Sequence, residues 1–257
     1  MALLLLAPRI NDTGLQLLTC ARRRGLRAHT AVRWEVPAEL AGLRPAHLYG
    51  GPLFADTAAG ALGVAALEPP ADWLTSLPAG LLGRRVECTT LAEARMLRRP
   101  AFLKPPVDKL FPARIYPDGS GLPGPDALDD DTLVLVSDVV AFAAEYRLFV
   151  LDGVVRTASR YAVGGSLAVS PEVGAEVLAF AADVLAVGGL PSAAVVDVGR
   201  LADGSWAVVE ANPAWASGGY ACDPEVVLDV VLRAAGPADA VTDADRPYGR
   251  AVPEVVR

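Results

Sequence analysis

Two apolar runs, 146–151 and 154–162, are separated only by Asp152-Gly153, and this constrains the fold of the chain more than any other feature. Asp-Gly readily adopts the positive φ angles of a two-residue turn, so the runs must fold back on each other as an antiparallel hairpin. A second pair of runs, 193–197 and 206–210, flanks the turn-rich stretch 199–205. Further short runs at 101–103, 113–116 and 133–136 make the region after Pro100 strand-rich. Residues 119–131 are polar and turn-rich and read as a connection. An amphipathic helix is expected over 171–187. Another begins at Asp223-Pro224-Glu225, with Asp as cap and Pro in the first turn, and runs to Ala235.

The first 97 residues have a different rhythm. A strand at 3–7 precedes Asn11-Asp12-Thr13, which can cap a helix that Gly25 ends. Strands follow at 31–34 and 47–49, then a helix at 56–62 and a short helix and turn over 73–82. Thr90 caps a helix over 91–97, with Glu93 in its first turn. Strand and helix alternating in this way indicate a βα-type module. The division expected is therefore a βα-type domain at 1–97, an α+β domain at 98–235 and a loose polar tail at 236–257.

Composition excludes several functions. The net charge is −7, and the arginines are scattered apart from Arg22-Arg23-Arg24, which is no nucleic-acid footprint. No apolar run approaches the ~20 residues of a membrane span. Leu3-Leu4-Leu5-Leu6 lacks the basic flank and cleavage pattern of a signal peptide. Cys20, Cys88 and Cys222 lie far apart, as expected for a reducing cytoplasm without a zinc site. His29 and His47 lie near no nucleophile pattern. No glycine-rich fingerprint follows the first strand, which argues against a nicotinamide cofactor.

Against 21 arginines the chain has two lysines, Lys104 and Lys109, five residues apart. A compact ammonium can meet a phosphate oxygen as a point charge, so the pair is a candidate phosphate grip; two neighbouring solvated lysines would be the plainer reading. Asp197 and Glu210 close the two runs of the second hairpin, and Asn212 shares Glu210's face if the strand continues. Asp, Glu and Asn oxygens at one spot suit a hard cation such as Mg²⁺, which keeps waters and takes substrate phosphates as its other ligands. Taken alone, two carboxylates at strand ends with an Asn-Pro turn would be ordinary structure.

Together the pieces are more specific. Phe102-Leu103-Lys104-Pro105, Val134-Leu135-Val136-Ser137-Asp138-Val139, Glu145-Tyr146-Arg147, Val195-Val196-Asp197 and Val209-Glu210-Ala211-Asn212-Pro213 occur in the order of the ATP-grasp superfamily. The chain resembles its small branch with paired lysines over about 101–235. The resemblance implies two α+β subdomains gripping ATP, with the βα-type domain in front. Lys104 and Lys109 would contact phosphates, Val136, Ser137, Asp138 and Val139 would form the linker against adenine, and Glu145 would bind ribose. Asp197, Glu210 and Asn212 would hold Mg²⁺. Arg147 and Arg160 would stabilise the transferring phosphoryl group or bind a carboxylate, and Ser217 and Gly218 would border the substrate. The implied activity is a cytoplasmic ATP-dependent ligase joining a small-molecule or peptide carboxylate to an amine. A phosphotransferase or a non-catalytic nucleotide-binding protein are the alternatives, and a homodimer is left open. Two positions depart from the superfamily pattern. Residues 105–111 replace the usual glycine-rich loop, and Val195 stands where many of its ligases have arginine.

Overall fold

The computed structural model describes residues 1–9, 11–106 and 109–251. The chain opens with β1 (Leu3–Leu6), α1 (Asp12–Arg23), β2 (Arg27–Thr30), β3 (Ala46–Tyr49), α2 (Pro52–Leu62) and β4 (Val64–Ala66). The first three strands form a parallel sheet in the order β2-β1-β3. All four leucines of β1 are buried, as a central parallel strand covered on both faces requires. Asn11 caps α1 by accepting the Gly14 amide at 2.7 Å.

Next come α3 (Trp73–Ser76), α4 (Ala79–Leu82), β5 (Val86–Thr90), α5 (Leu91–Arg95), β6 (Ala101–Lys104), β7 (Arg114–Tyr116) and β8 (Leu133–Ser137). These strands make an antiparallel sheet, β5-β8-β6-β7, over a core of Leu91, Leu103, Phe111, Tyr116 and Val134. Thr90 and Glu93 form a full capping box on α5.

The largest sheet is built from β9 (Phe142–Leu151), β10 (Val154–Val163), β11 (Ser166–Ser170), β12 (Ala193–Leu201) and β13 (Trp206–Asn212), with α6 (Ala175–Val187) inserted before β12. Its order is β11-β10-β9-β12-β13. The turn at Asp152-Gly153 has positive φ at both residues, as the hairpin reading demands. One face carries Leu148, Val150, Val196 and Val198 against α6, α3 and α4. The other carries Phe149, Ala193 and Val195 into the core that also holds β1, α1 and α7 (Pro224–Ala234). Asp223 caps α7, with Pro224 at its first position.

Four expectations need correction. The second strand lies at Arg27–Thr30 rather than 31–34, because its backbone pairs with β1 although its side chains are only partly buried. The helix expected from residue 171 starts at Ala175, with Gly174 as its cap. The boundary at residue 97 falls inside a subdomain, since β5 pairs along β8 from Val86 to Thr90. The tail is not loose over its described part. Strand β14 (Ala235–Pro237) pairs with β4, and Asp245, 3% exposed, accepts from the Ser192 amide and hydroxyl at 2.7 Å each.

Candidate active site

The central hairpins lay out the site by register. Across the large sheet, Ser159 on β10 faces Arg147 on β9, Arg147 faces Asp197 on β12, and Asp197 faces Glu210 on β13. Directly opposite residues share a face, so one row brings a guanidinium between two β-strands of polar and acidic groups. Strand β13 runs on to Asn212, which places it on Glu210's face as alternation requires.

Arg147 donates from Nε to Asp197 Oδ1 at 2.9 Å and from Nη2 to Oδ2 at 2.6 Å, a bidentate pair. Its Nη1 donates to the Gly218 carbonyl at 3.2 Å. The guanidinium also lies 5.0 Å from the Tyr220 ring centroid and 5.7 Å from that of Tyr161, and the two rings stack at 5.0 Å. Asp197 is 1% exposed. Burial pushes its carboxyl above the usual carboxylate range; Arg147 opposes this and Glu210 adds repulsion. Glu210 accepts from Lys104 Nζ, and its Oε1 accepts from the Asn212 amide at 2.8 Å. Burial raises the Glu210 carboxyl, but the Lys104 charge and hydrogen bonds outweigh it, and the group titrates below its usual value.

Lys104 ends β6 in one sheet, and Glu210 lies near the end of β13 in the other, so their contact spans the two subdomains. The linker 136–139 runs between those sheets. Val136 and Ser137 are buried at the end of β8 and pair with β5 and β6. The Asp138 amide donates to the Arg85 carbonyl at 3.0 Å, and Val139 is exposed. Glu145 accepts the Tyr161 hydroxyl at 2.8 Å. Ser217 is buried, with its hydroxyl donating to the Pro213 carbonyl at 2.8 Å.

Two expected members lie elsewhere. Arg160 pairs across the strands with Tyr146, which packs on the opposite face, and donates to the Ala168 carbonyl at 3.2 Å. The register shift between Arg160 and Ala162 puts Tyr161, not Arg160, beside Arg147. Lys109 lines a crevice at the carboxyl ends of β1 and β3.

Several residues escaped the sequence reading. Arg84 donates to Ser137 Oγ at 2.9 Å and to the Val208 and Val209 carbonyls at 2.6 and 3.2 Å, tying β8 to β13. Nothing local separates it from its neighbour Arg85. Tyr161 gave no signal because a bulge breaks the alternation that would have found it.

As a cation site the donor set is hard: two carboxylates and an amide oxygen, with phosphates and water as its natural complement. Among the described residues no three His, Cys, Asp or Glu side chains gather on one point. The set therefore fits Mg²⁺ only as a site that a nucleotide completes. Glu210 and Asn212 are its accessible part, and buried Asp197 could be reached only from their side.

Residues 81–230 match the profile of an ATP-grasp domain, family 2 of its clade. The chain belongs to that ATP-grasp family. No curated protein matches it. Among solved structures, this ATP-grasp chain is similar to an ATP-grasp RimK domain protein from Sphaerobacter thermophilus, with 20% identity and a TM-score of 0.53 over 90% of this chain and 100% of that one. It is likewise similar to the D-cycloserine synthetase DcsG, at 17% identity and TM-score 0.55, over 90% and 98% of the two chains. For D-alanine–D-alanine ligase from Bacillus anthracis the values are 15% and 0.56, over 90% and 95%. These likenesses establish the fold. No helix among the described residues is long and apolar enough to cross a membrane.

Proposed function

We propose that this protein is a Mg²⁺- and ATP-dependent carboxylate–amine ligase. The observation carrying this reading is the continuous ionic row Arg147–Asp197–Glu210–Lys104, assembled where the two ATP-grasp subdomains meet. Acyl transfer through a phosphorylated carboxylate needs positioned charge more than acid–base side chains. The row supplies fixed cations and hard oxygen donors without histidine or a reactive cysteine.

In this reading a substrate carboxylate oxygen attacks the γ-phosphorus of ATP, the bridging P–O bond breaks, and ADP leaves. An amine nitrogen then attacks the acyl carbon, phosphate departs, and the nitrogen loses a proton. Lys104 would exchange Glu210 for nucleotide phosphate, freeing Glu210 and Asn212 to hold the metal. The metal would supply charge neutralisation at the phosphates. Arg147, fixed by Asp197 and by stacking on Tyr220, would present a rigid cation to the charge that develops on the acyl and phosphoryl oxygens. Val195 is buried against Phe149, so the guanidinium at the carboxylates comes from the neighbouring strand instead.

Calorimetric titration of Mg-ADP into the wild type and Glu210→Ala tests the reading. Expected are Mg²⁺-dependent binding to the wild type and at least tenfold weaker binding to the variant, about 1.4 kcal/mol. A folded wild type that binds no Mg-ADP would refute it.

A further inference from the structure

The parallel sheet ends in a crevice of about 490 Å³, within the ~300–1,000 Å³ range of small-ligand sites. It lies at the carboxyl ends of β1 and β3, on either side of the central strand of a β2-β1-β3 sheet, where ligands settle in open parallel sheets. Its walls are of two kinds. Leu6, Leu15, Leu18 and Trp34 supply apolar surface, while Arg9 and Lys109 supply charge. No described lining residue is acidic, although the whole chain carries a net charge of −7. Among the described residues, neither Arg9 nor Lys109 has an ion-pair partner, in contrast to Lys104.

The apolar wall is presented outward. Leu15 is 55% and Trp34 48% exposed. The Trp34 ring leans edge-on against Phe54, and its carbonyl accepts the Thr57 hydroxyl at 2.8 Å, so the indole is held at the wall rather than collapsed into it. A half-exposed, anchored tryptophan beside unpaired cations suits a ligand with an apolar body and a negative end.

The crevice is also continuous with the ionic row. Ala216 and Tyr49 line it, and the Tyr49 hydroxyl donates to the Ser217 carbonyl at 3.0 Å. The next carbonyl, of Gly218, takes the bond from Arg147, and the Gly219 amide donates to Thr13 Oγ1 at 2.8 Å. One residue of backbone thus separates the crevice wall from the cation that holds Asp197.

We propose that this crevice is the carboxylate-substrate site and that it selects acids with an apolar body, such as amino acids of leucine or phenylalanine type or peptides ending in them. The inference rests on the ligase reading for the reaction the acid undergoes. The ligand's apolar group lies along Trp34, Leu15 and Leu18, and its carboxylate faces Arg9 and Lys109.

The test is calorimetric titration of 4-methylpentanoate and 3-phenylpropanoate, against acetate and inorganic phosphate, with and without saturating Mg-ADP. The apolar acids are expected to bind at least tenfold more tightly than acetate or phosphate. Trp34→Ala should erase most of that preference, and Arg9→Gln should weaken both apolar acids severalfold; Mg-ADP affinity should stay unchanged in both variants. Normal Mg-ADP binding with no preference for apolar acids, or a preference that survives Trp34→Ala, overturns the crevice assignment alone. Absence of Mg-ADP binding to folded wild type overturns the ligase reading and this inference with it.

Discussion

Replacing Arg147 by Met is the most informative single change in the site. Met fills much of the same volume but removes two bonds to Asp197, of 2.9 and 2.6 Å, and one to the Gly218 carbonyl. Asp197 would stay 1% exposed with both oxygens unpaired. Stranding one member of a buried ion pair costs about 3–5 kcal/mol. The low end is expected at neutral pH, because burial already pushes this carboxyl upward and protonation can relieve the charge. For a chain of this size ~3 kcal/mol lowers Tm by roughly 6–12 °C. The sign with pH follows from linkage. A carboxyl whose folded pKa is raised gives stability that is complete below its unfolded value, about 3.9, and lost as pH rises through the folded value. The deficit of Arg147→Met should therefore be larger at pH 7.5 than at pH 5. A second change, Asp197→Leu, should recover most of the loss, since an apolar pair can replace a buried ion pair at little cost. Differential scanning fluorimetry across pH, with urea unfolding, measures all three quantities. A deficit under about 1 kcal/mol, a deficit independent of pH, or a double variant no more stable than Arg147→Met would refute the reasoning.

Two further outcomes are expected. A Cβ at Gly119 would run into the Ala94 carbonyl oxygen and lie 2.5 Å from the Arg95 backbone, whereas one at Gly124 meets nothing within 4 Å. Gly119→Ala should lose at least about 2 kcal/mol by overpacking while Gly124→Ala stays near wild type, and equal melting temperatures would contradict this. The Glu210 carboxylate titrates below its reference value of 4.5, so its contribution to stability is present above that value and lost as pH falls through the lower folded one. Urea midpoints at pH 6, 5 and 4 should show the gap between wild type and Glu210→Gln narrowing toward acid, and a constant gap would contradict the assignment.

Much of the local structure was legible. Asn11, Thr90 and Asp223 cap the helices their chemistry favours, because a cap is decided within three residues. The Asp152-Gly153 turn fixed the β9–β10 hairpin for the same reason. The strand-poor reading of Arg27–Thr30 and of Ser166–Ser170 failed where the tertiary sheet recruits polar edge segments that carry no apolar run. The described part of the tail is ordered through Asp245 and β14, partners with no nearby sequence counterpart.

The sequence by itself determined that Asp197, Glu210 and Asn212 share one face, because the period of two along a single hairpin places them there. It also identified Lys104 as an unusual cation in an arginine-rich chain. Only the tertiary structure decided what those groups meet. Arg147 and Asp197 are 50 residues apart in sequence, and Lys104 and Glu210 are 106 apart. Strand order and the docking of two sheets bring them together, neither of which is encoded in any local window. The same docking turns Lys109 toward the crevice, and a one-residue bulge exchanges Arg160 for Tyr161 beside the guanidinium. Side-chain facing is a local, periodic property of the backbone. Partner choice depends on long-range register, which a shift of one residue inverts.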